Sequence, residues 1–242
     1  MKHIFLRLLV ALALMQILAA PCTAFSRPAP RGITSYAKSM EFYYLAPKPE
    51  SLPGILRAFD TQGVLADSQK RLALAAFLAE TLRAAPEARI HIWATVPALG
   101  QDGKRTLAWA VHLARLPDEE SLLNALLGQN DALLRRQIAG SPGLLHDWKI
   151  SSEATVLQMY WTAFMACGSL RYLDAIIQAA LQYAHLNARG ERKGPSFPMF
   201  AAAAASLYEL APRHPIVSER LEIFLRSAGG PEADTLRAIL RK

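Results

Sequence analysis

Apolar residues recur along this chain at helical spacing almost throughout. Leu74, Phe77, Leu78 and Leu82 fall on one face of a helix that turns once in 3.6 residues. Leu157, Tyr160, Trp161 and Phe164 make a second stripe, and Leu173, Ile176, Ile177, Ala180 and Leu181 a third. Phe200, Ala203, Ala204, Leu207, Tyr208 and Ala211 make a fourth, followed by Val217, Leu221, Phe224 and Leu225. Leu123, Leu126 and Leu127, extended to Leu134, read as one further stripe. Each of these faces must be buried against a neighbour. A short helix is expected over Ser35–Tyr44. "RIHIWATV", Arg89 to Val96, is the one strand-like run, and it too is read as helix.

Punctuation between the stripes supports helices with short connectors. "PDEES" places Asp118 as an N-cap with acids in the first turn after it. "HPIV" and "GPEAD" put Pro215 and Pro231 at first helical positions. Gly140 and the stretch around Gly190 end helices. In "ACGSL", Gly168 can take the left-handed conformation that closes a helix, and Ser169 can cap the next. Cys167 then sits in the last turn of the first arm, where a small apolar side chain packs well. The pattern predicts an all-α fold of about nine or ten helices, with antiparallel pairs stacked as an irregular α/α solenoid-like array. No fixed-period repeat accompanies it.

Composition agrees with a helical core. Of 242 residues, 52% are hydrophobic and 19% charged, Ala and Leu dominate, and β-branched residues are scarce. The first 24 residues read as a secretory signal, with Lys2 and Arg7 before the apolar run Leu8–Met15 and "CTA" at the cleavage point. Cleavage is expected after Ala24. Cys22 raises a competing lipoprotein reading, but Pro21 stands where a small residue belongs. Residues 25–50 form a Pro-rich linker, and 51–242 are expected to form a single all-helical domain. The export signal implies a periplasmic or secreted protein with no membrane span after cleavage.

Charge and chemistry narrow the functional classes. The net charge of +7 falls to +5 once Lys2 and Arg7 are removed, and the cations are scattered rather than blocked. Arg interleaved with aromatics is not evident, so no nucleic-acid partner is expected. Cys167 would be the only cysteine left after cleavage, so no intrachain disulfide is possible. None of the H-E-x-x-H, C-x-x-C, G-x-G-x-x-G, G-K-[ST] or G-x-S-x-G patterns occurs, and His91, His112, His146, His185 and His214 are isolated along the chain. No cofactor, metal site or catalytic residue is therefore assigned. Ser35 and Lys38 match an S-x-x-K pattern, but its companion elements are missing. Trp93, Trp109 and Trp161 are read as core in preference to a ligand groove.

Three blocks resemble a family of exported bacterial all-helical proteins. They are "FYYLAPKPESLPGILRAFD" with "LAAFLAETLRAAP", "YWTAFMACGSLRYLDAIIQAAL", and "AAAAASLYELAPRHPIVSERLEIFL". The resemblance spans most of Phe42–Leu225 and implies the helical fold without bringing an activity. Cys167 stands where that pattern has threonine, which speaks against an obligatory hydroxyl or thiol there.

These observations point to a helical-repeat-like scaffold that binds a protein or peptide in the cell envelope or outside the cell, and not to an enzyme. The candidate contact residues are Arg189, Arg192 and Lys193 on the polar connector "HLNARGERKGPS", together with His214. Two other readings stay open. One is an envelope enzyme with a site assembled from distant residues. The other is a basic binder of anionic polymers or surfaces.

Overall fold

The helix boundaries follow local capping chemistry. The computed structural model describes residues 31–241 apart from Ser152; the expected signal segment, Cys22 and the first part of the linker lie outside the described residues. Helix α1 covers Arg31–Glu41. The expected helix at Ser35–Tyr44 thus begins earlier and stops sooner, because the chain tightens into a 3₁₀ turn at Tyr43–Leu45 and then extends through Ala46 ahead of Pro47. A residue before proline is disfavoured in the α conformation. Helix α2 is Leu52–Thr61. Helix α3 is Ser68–Ala84, capped by the Asp67 carboxylate, which accepts from the Gln69 and Lys70 amides at 2.9 and 3.3 Å.

The strand-like run is helix α4, Ala88–Trp93. Helix α5 is Gln101–Ala114, α6 Glu119–Leu126 and α7 Ala132–Ala139. Helices α8 (Ala154–Cys167) and α9 (Leu170–Ala188) are joined at Gly168, whose φ of +67° is the left-handed closure expected there. Helices α10 (Phe197–Leu210), α11 (Pro215–Ser227) and α12 (Gly230–Leu240) complete the chain.

The all-α expectation holds: the described residues contain twelve α-helices and no strand. The count exceeds nine or ten partly because the single stripe from Leu123 to Leu134 is two helices. Leu127 and Gly128 are extended, so the helical register is broken between α6 and α7. The buried apolar positions there are Leu122, Leu126, Leu127 and Ile138, while Leu123 and Leu134 are half-buried. Two capping details also differ. Asp118 precedes α6 but makes no side-chain cap; its carboxylate is taken by Arg89, which stacks on the Trp93 ring. Pro231 is the second helical residue, since α12 starts at Gly230.

Contacts group the described residues into two compact units. The first comprises 31–149 and 158–172, the second 150–157 and 173–241. In the first unit α3 packs along α5, α5 on α6, and α2 on both α4 and α5. Phe77, Phe164, Leu78 and Leu107 are fully buried there. Thr162 on α8 donates to the Ala73 carbonyl of α3 at 2.7 Å. In the second unit α12 packs on α10 and α11, around the fully buried Val217, Leu221 and Leu236.

Two carboxylates, half-buried Asp60 and buried Asp131, organise the first unit. Asp60 on α2 accepts from the amides of Gly100 and Gly103 at 2.6 and 2.9 Å, capping α5 from another helix. Gly103 has to be glycine here, because a Cβ would stand 2.8 Å from the Asp60 carboxyl carbon. Asp131 accepts from Arg105 Nε at 2.8 Å, from the Gly128 amide at 3.0 Å and from the Gln101 side chain.

Candidate functional site

A cleft of about 200 Å³ opens within the first unit, where three segments distant in sequence converge. The 3₁₀ stretch supplies Tyr43 and Tyr44, followed by Pro47. The C-terminal turns of α3 and α8 supply Thr81, Ala84 and Ala85, and Ala166 and Cys167. Packing fixes the tyrosines. The Tyr43 ring stands edge-on to Phe77 with centroids 5.1 Å apart, and the Tyr44 ring lies tilted on Phe164 at 5.2 Å. Gly168 is needed twice over: its backbone is left-handed, and a Cβ there would meet Tyr44 Cδ2 at 3.3 Å.

Behind the cleft lies a buried polar cluster. Glu80, 6% exposed, accepts from Arg83 Nη1 at 2.7 Å, and Arg83 Nη2 also donates to the Leu113 carbonyl at 2.7 Å. The Cys167 thiol donates to the Ala163 carbonyl at 3.2 Å and faces Glu80 Oε2 at 3.9 Å. Burial, reinforced by the Glu80 charge, pushes this thiol up to about 11, only partly offset by the Ser169 amide and the Arg83 charge. Burial pushes the Tyr43 phenol up to about 12, with Glu50 and Glu87 adding to the effect. The Lys48 amide opposes that rise without completing a hydrogen bond of ordinary geometry, so the buried hydroxyl has no hydrogen-bond partner. Tyr44 is raised by burial and then by Glu41, and Tyr172 by burial and then by Glu80.

These shifts share one cause and one direction: desolvation favours the neutral form. A thiol nucleophile needs the reverse, a neighbouring cation or base that favours thiolate. Cys167 faces the Glu80 carboxylate, and the Arg83 cation paired with that carboxylate offsets the rise only in part. At neutral pH the cleft presents protonated phenols, a protonated thiol and alkyl walls.

The contact residues expected from sequence lie elsewhere, in the second unit. Arg189, Arg192 and Lys193 are exposed just beyond α9, on a turn closed by Gly190 at φ +75°. His214 is fully buried at the start of α11, where its carbonyl accepts from the Val217 amide at 2.9 Å. The structure thus keeps the three cations on the surface and places His214 in the interior. The other histidines are less isolated in space than along the chain. His112, 4% exposed, lies between Glu119 Oε1 at 2.6 Å and the Ser141 carbonyl at 3.2 Å, and His185 pairs with Glu232 at 2.7 Å. Among the described residues no group of three or more His, Cys, Asp and Glu side chains is placed to hold a metal. Ser35 and Lys38 are both exposed on α1. Trp109 and Trp161 are core, whereas Trp93 is half-buried beneath Arg89.

Comparison of the chain with protein families, with curated proteins and with solved structures finds no match. No described helix is long and apolar enough to cross a membrane. Sequence reasoning missed Tyr43, Tyr44 and Pro47 as a site. The local signal was the aromatic run Phe42–Tyr44 followed by proline, but its partners at Thr81 and Cys167 are far along the chain.

Proposed function

We propose that this protein is an exported scaffold that binds a protein or peptide partner through the cleft beside Tyr43 and Tyr44. The observation that carries the reading is the chemistry of that cleft: it is open, mainly apolar and lined by groups that stay neutral at physiological pH. Tyrosine beside a rigid apolar wall is a common anchor arrangement at interfaces. Export rests on the N-terminal pattern of a basic start, an apolar run and a small-residue cleavage point. The likeness to exported bacterial helical proteins supports the same location.

A photo-crosslinking amino acid at position 44, introduced in living cells with a C-terminal tag, tests the reading. One envelope or extracellular polypeptide should be captured from position 44 and not from position 192, and the mature chain should begin at Phe25. Equal capture from both positions, or capture of none, would overturn it.

A second reading is favoured by a different observation. Arg189, Arg192 and Lys193 are three exposed cations within five residues, so an anionic polymer or surface could be held by that turn. Binding of that kind weakens steeply with salt, which capture at the apolar cleft does not.

A further inference from the structure

We propose that the Lys193–Gly194 bond is a processing site, cut by a serine endopeptidase that selects basic residues, to give a two-chain form that stays assembled. This goes beyond partner binding at the cleft and does not depend on it. Ala188 to Pro195 are all exposed, the longest such run among the described residues. A serine endopeptidase takes its substrate as an extended strand and pairs with free backbone groups beside the bond it cuts. Basic specificity adds a second demand: Lys or Arg must precede that bond and enter an acidic pocket of the enzyme.

Three bonds of the connector follow a basic residue, and backbone geometry chooses among them. At Arg189–Gly190 the Arg189 amide donates to the His185 carbonyl at 3.1 Å and the Gly190 amide to that of Asn187 at 3.2 Å, so this peptide stays wound on the end of α9. At Arg192–Lys193 the Arg192 amide is held by the Gly190 carbonyl at 2.9 Å. Lys193 differs: its amide and carbonyl, and the Gly194 amide, make no hydrogen bond among the described residues. Space is open as well, since a Cβ at Gly194 would meet nothing within 4 Å. Order resumes at α10, where the Phe197 amide returns to the Gly194 carbonyl at 3.1 Å. Hydrolysis adds water across the free bond, leaving a carboxylate on Lys193 and an amine on Gly194. The products stay together because α9, before the cut, is tied to all three helices after it. The Tyr183 and Phe197 rings lie 5.4 Å apart, Asp174 pairs with Arg220 at 2.6 and 2.7 Å, and His185 meets Glu232 at 2.7 Å.

Brief digestion of the full mature chain with trypsin, followed by mass spectrometry, tests the choice of bond. The first product pair should part at Lys193–Gly194. Gel filtration should carry both fragments in one peak, and urea should separate them. Lys193→Gln should slow all cutting within the connector at least about tenfold, because the enzyme's acidic pocket loses its cation at the one free bond. Arg189→Gln should leave the rate within about twofold, since that bond is not the one used. In the cells that make the protein, a C-terminally tagged chain should yield a tagged fragment beginning at Gly194, and Lys193→Gln should remove it. A first tryptic cut elsewhere, or fragments that part without urea, would overturn the inference. So would a tagged chain that stays wholly intact in those cells.

Discussion

The two units of this chain handle polar groups differently. Residues 31–149 and 158–172 carry 15 Lys and Arg against 12 Asp and Glu, whereas 150–157 and 173–241 carry eight of each. In the first unit the key carboxylates are buried: the side chains of Glu80 and Asp131 are 7% and 1% exposed. In the second, the main long-range pair is Arg220 with Asp174, bidentate at 2.6 and 2.7 Å, with side chains 26% and 31% exposed. The groups that burial itself pushes toward the protonated form, Tyr43, Tyr44, Tyr160, Cys167 and Tyr172, belong to the first unit, whereas Arg220 in the second is raised by its Asp174 partner. Desolvation therefore marks one unit as the place where side chains are held in an unusual environment. The other unit keeps its main long-range ion pair near water, although His214 is buried there.

That contrast can be broken most forcefully at Trp161, 7% exposed and edge-on to Phe164 with ring centroids 6.0 Å apart. Trp161→Ala should cost about 3–5 kcal/mol in urea unfolding, as a large core truncation does. An unchanged midpoint would show that the first unit does not depend on this ring.

Alkaline pH should separate the units next. Acids whose folded pKa is raised keep their full contribution below the unfolded value. The unfolded chain then releases its protons first, so stability falls as pH rises. The window opens near 9 for Cys167 and 10 for the tyrosines and runs to about 12. A probe in the first unit, such as Trp161 fluorescence, should therefore report unfolding at lower urea at pH 11 than at pH 8. In the native state at pH 8, Cys167 should react with iodoacetamide at least about tenfold more slowly than in urea, because it holds far less thiolate. Equal rates would mean an ordinary, accessible thiol; a native rate faster than that in urea would mean an activated thiol and would favour the enzyme reading.

Gly103→Ala should cost about 1–3 kcal/mol, since the added methyl collides with a carboxylate pinned by two amides. Pairing it with Asp60→Ala should recover the steric part while losing the cap, and a simple sum of the two effects would show that the sites are independent. The smallest effect belongs to the second unit. Asp174→Asn should cost no more than about 1 kcal/mol, because the pair is partly solvated. A loss as large as that of Trp161→Ala would erase the distinction between the units.

What could be read directly from sequence was whatever lies within one turn of helix or one connector. The Leu74–Leu82 and Leu173–Leu181 stripes are buried throughout, Gly168 is left-handed, and Gly140 ends its helix. These follow from 3.6-residue periodicity and from glycine's freedom at positive φ, which are local properties of the chain. The stripe from Leu123 to Leu134 misled because apolar spacing persists across a backbone break that only Leu127 and Gly128 reveal. The cleft was out of reach for a different reason. Tyr43, Thr81 and Cys167 are brought together by packing among helices distant in sequence, and burial of that kind has no local signature. The sequence by itself determined the helical class, most turn positions and the places where glycine or proline was needed. Tertiary structure alone decided that Asp60 would cap a helix about 40 residues away, that His214 would be interior, and that two tyrosines and a protonated thiol would share one cleft. Side-chain desolvation and long-range hydrogen bonds depend on which helices meet, and helical periodicity does not encode that choice.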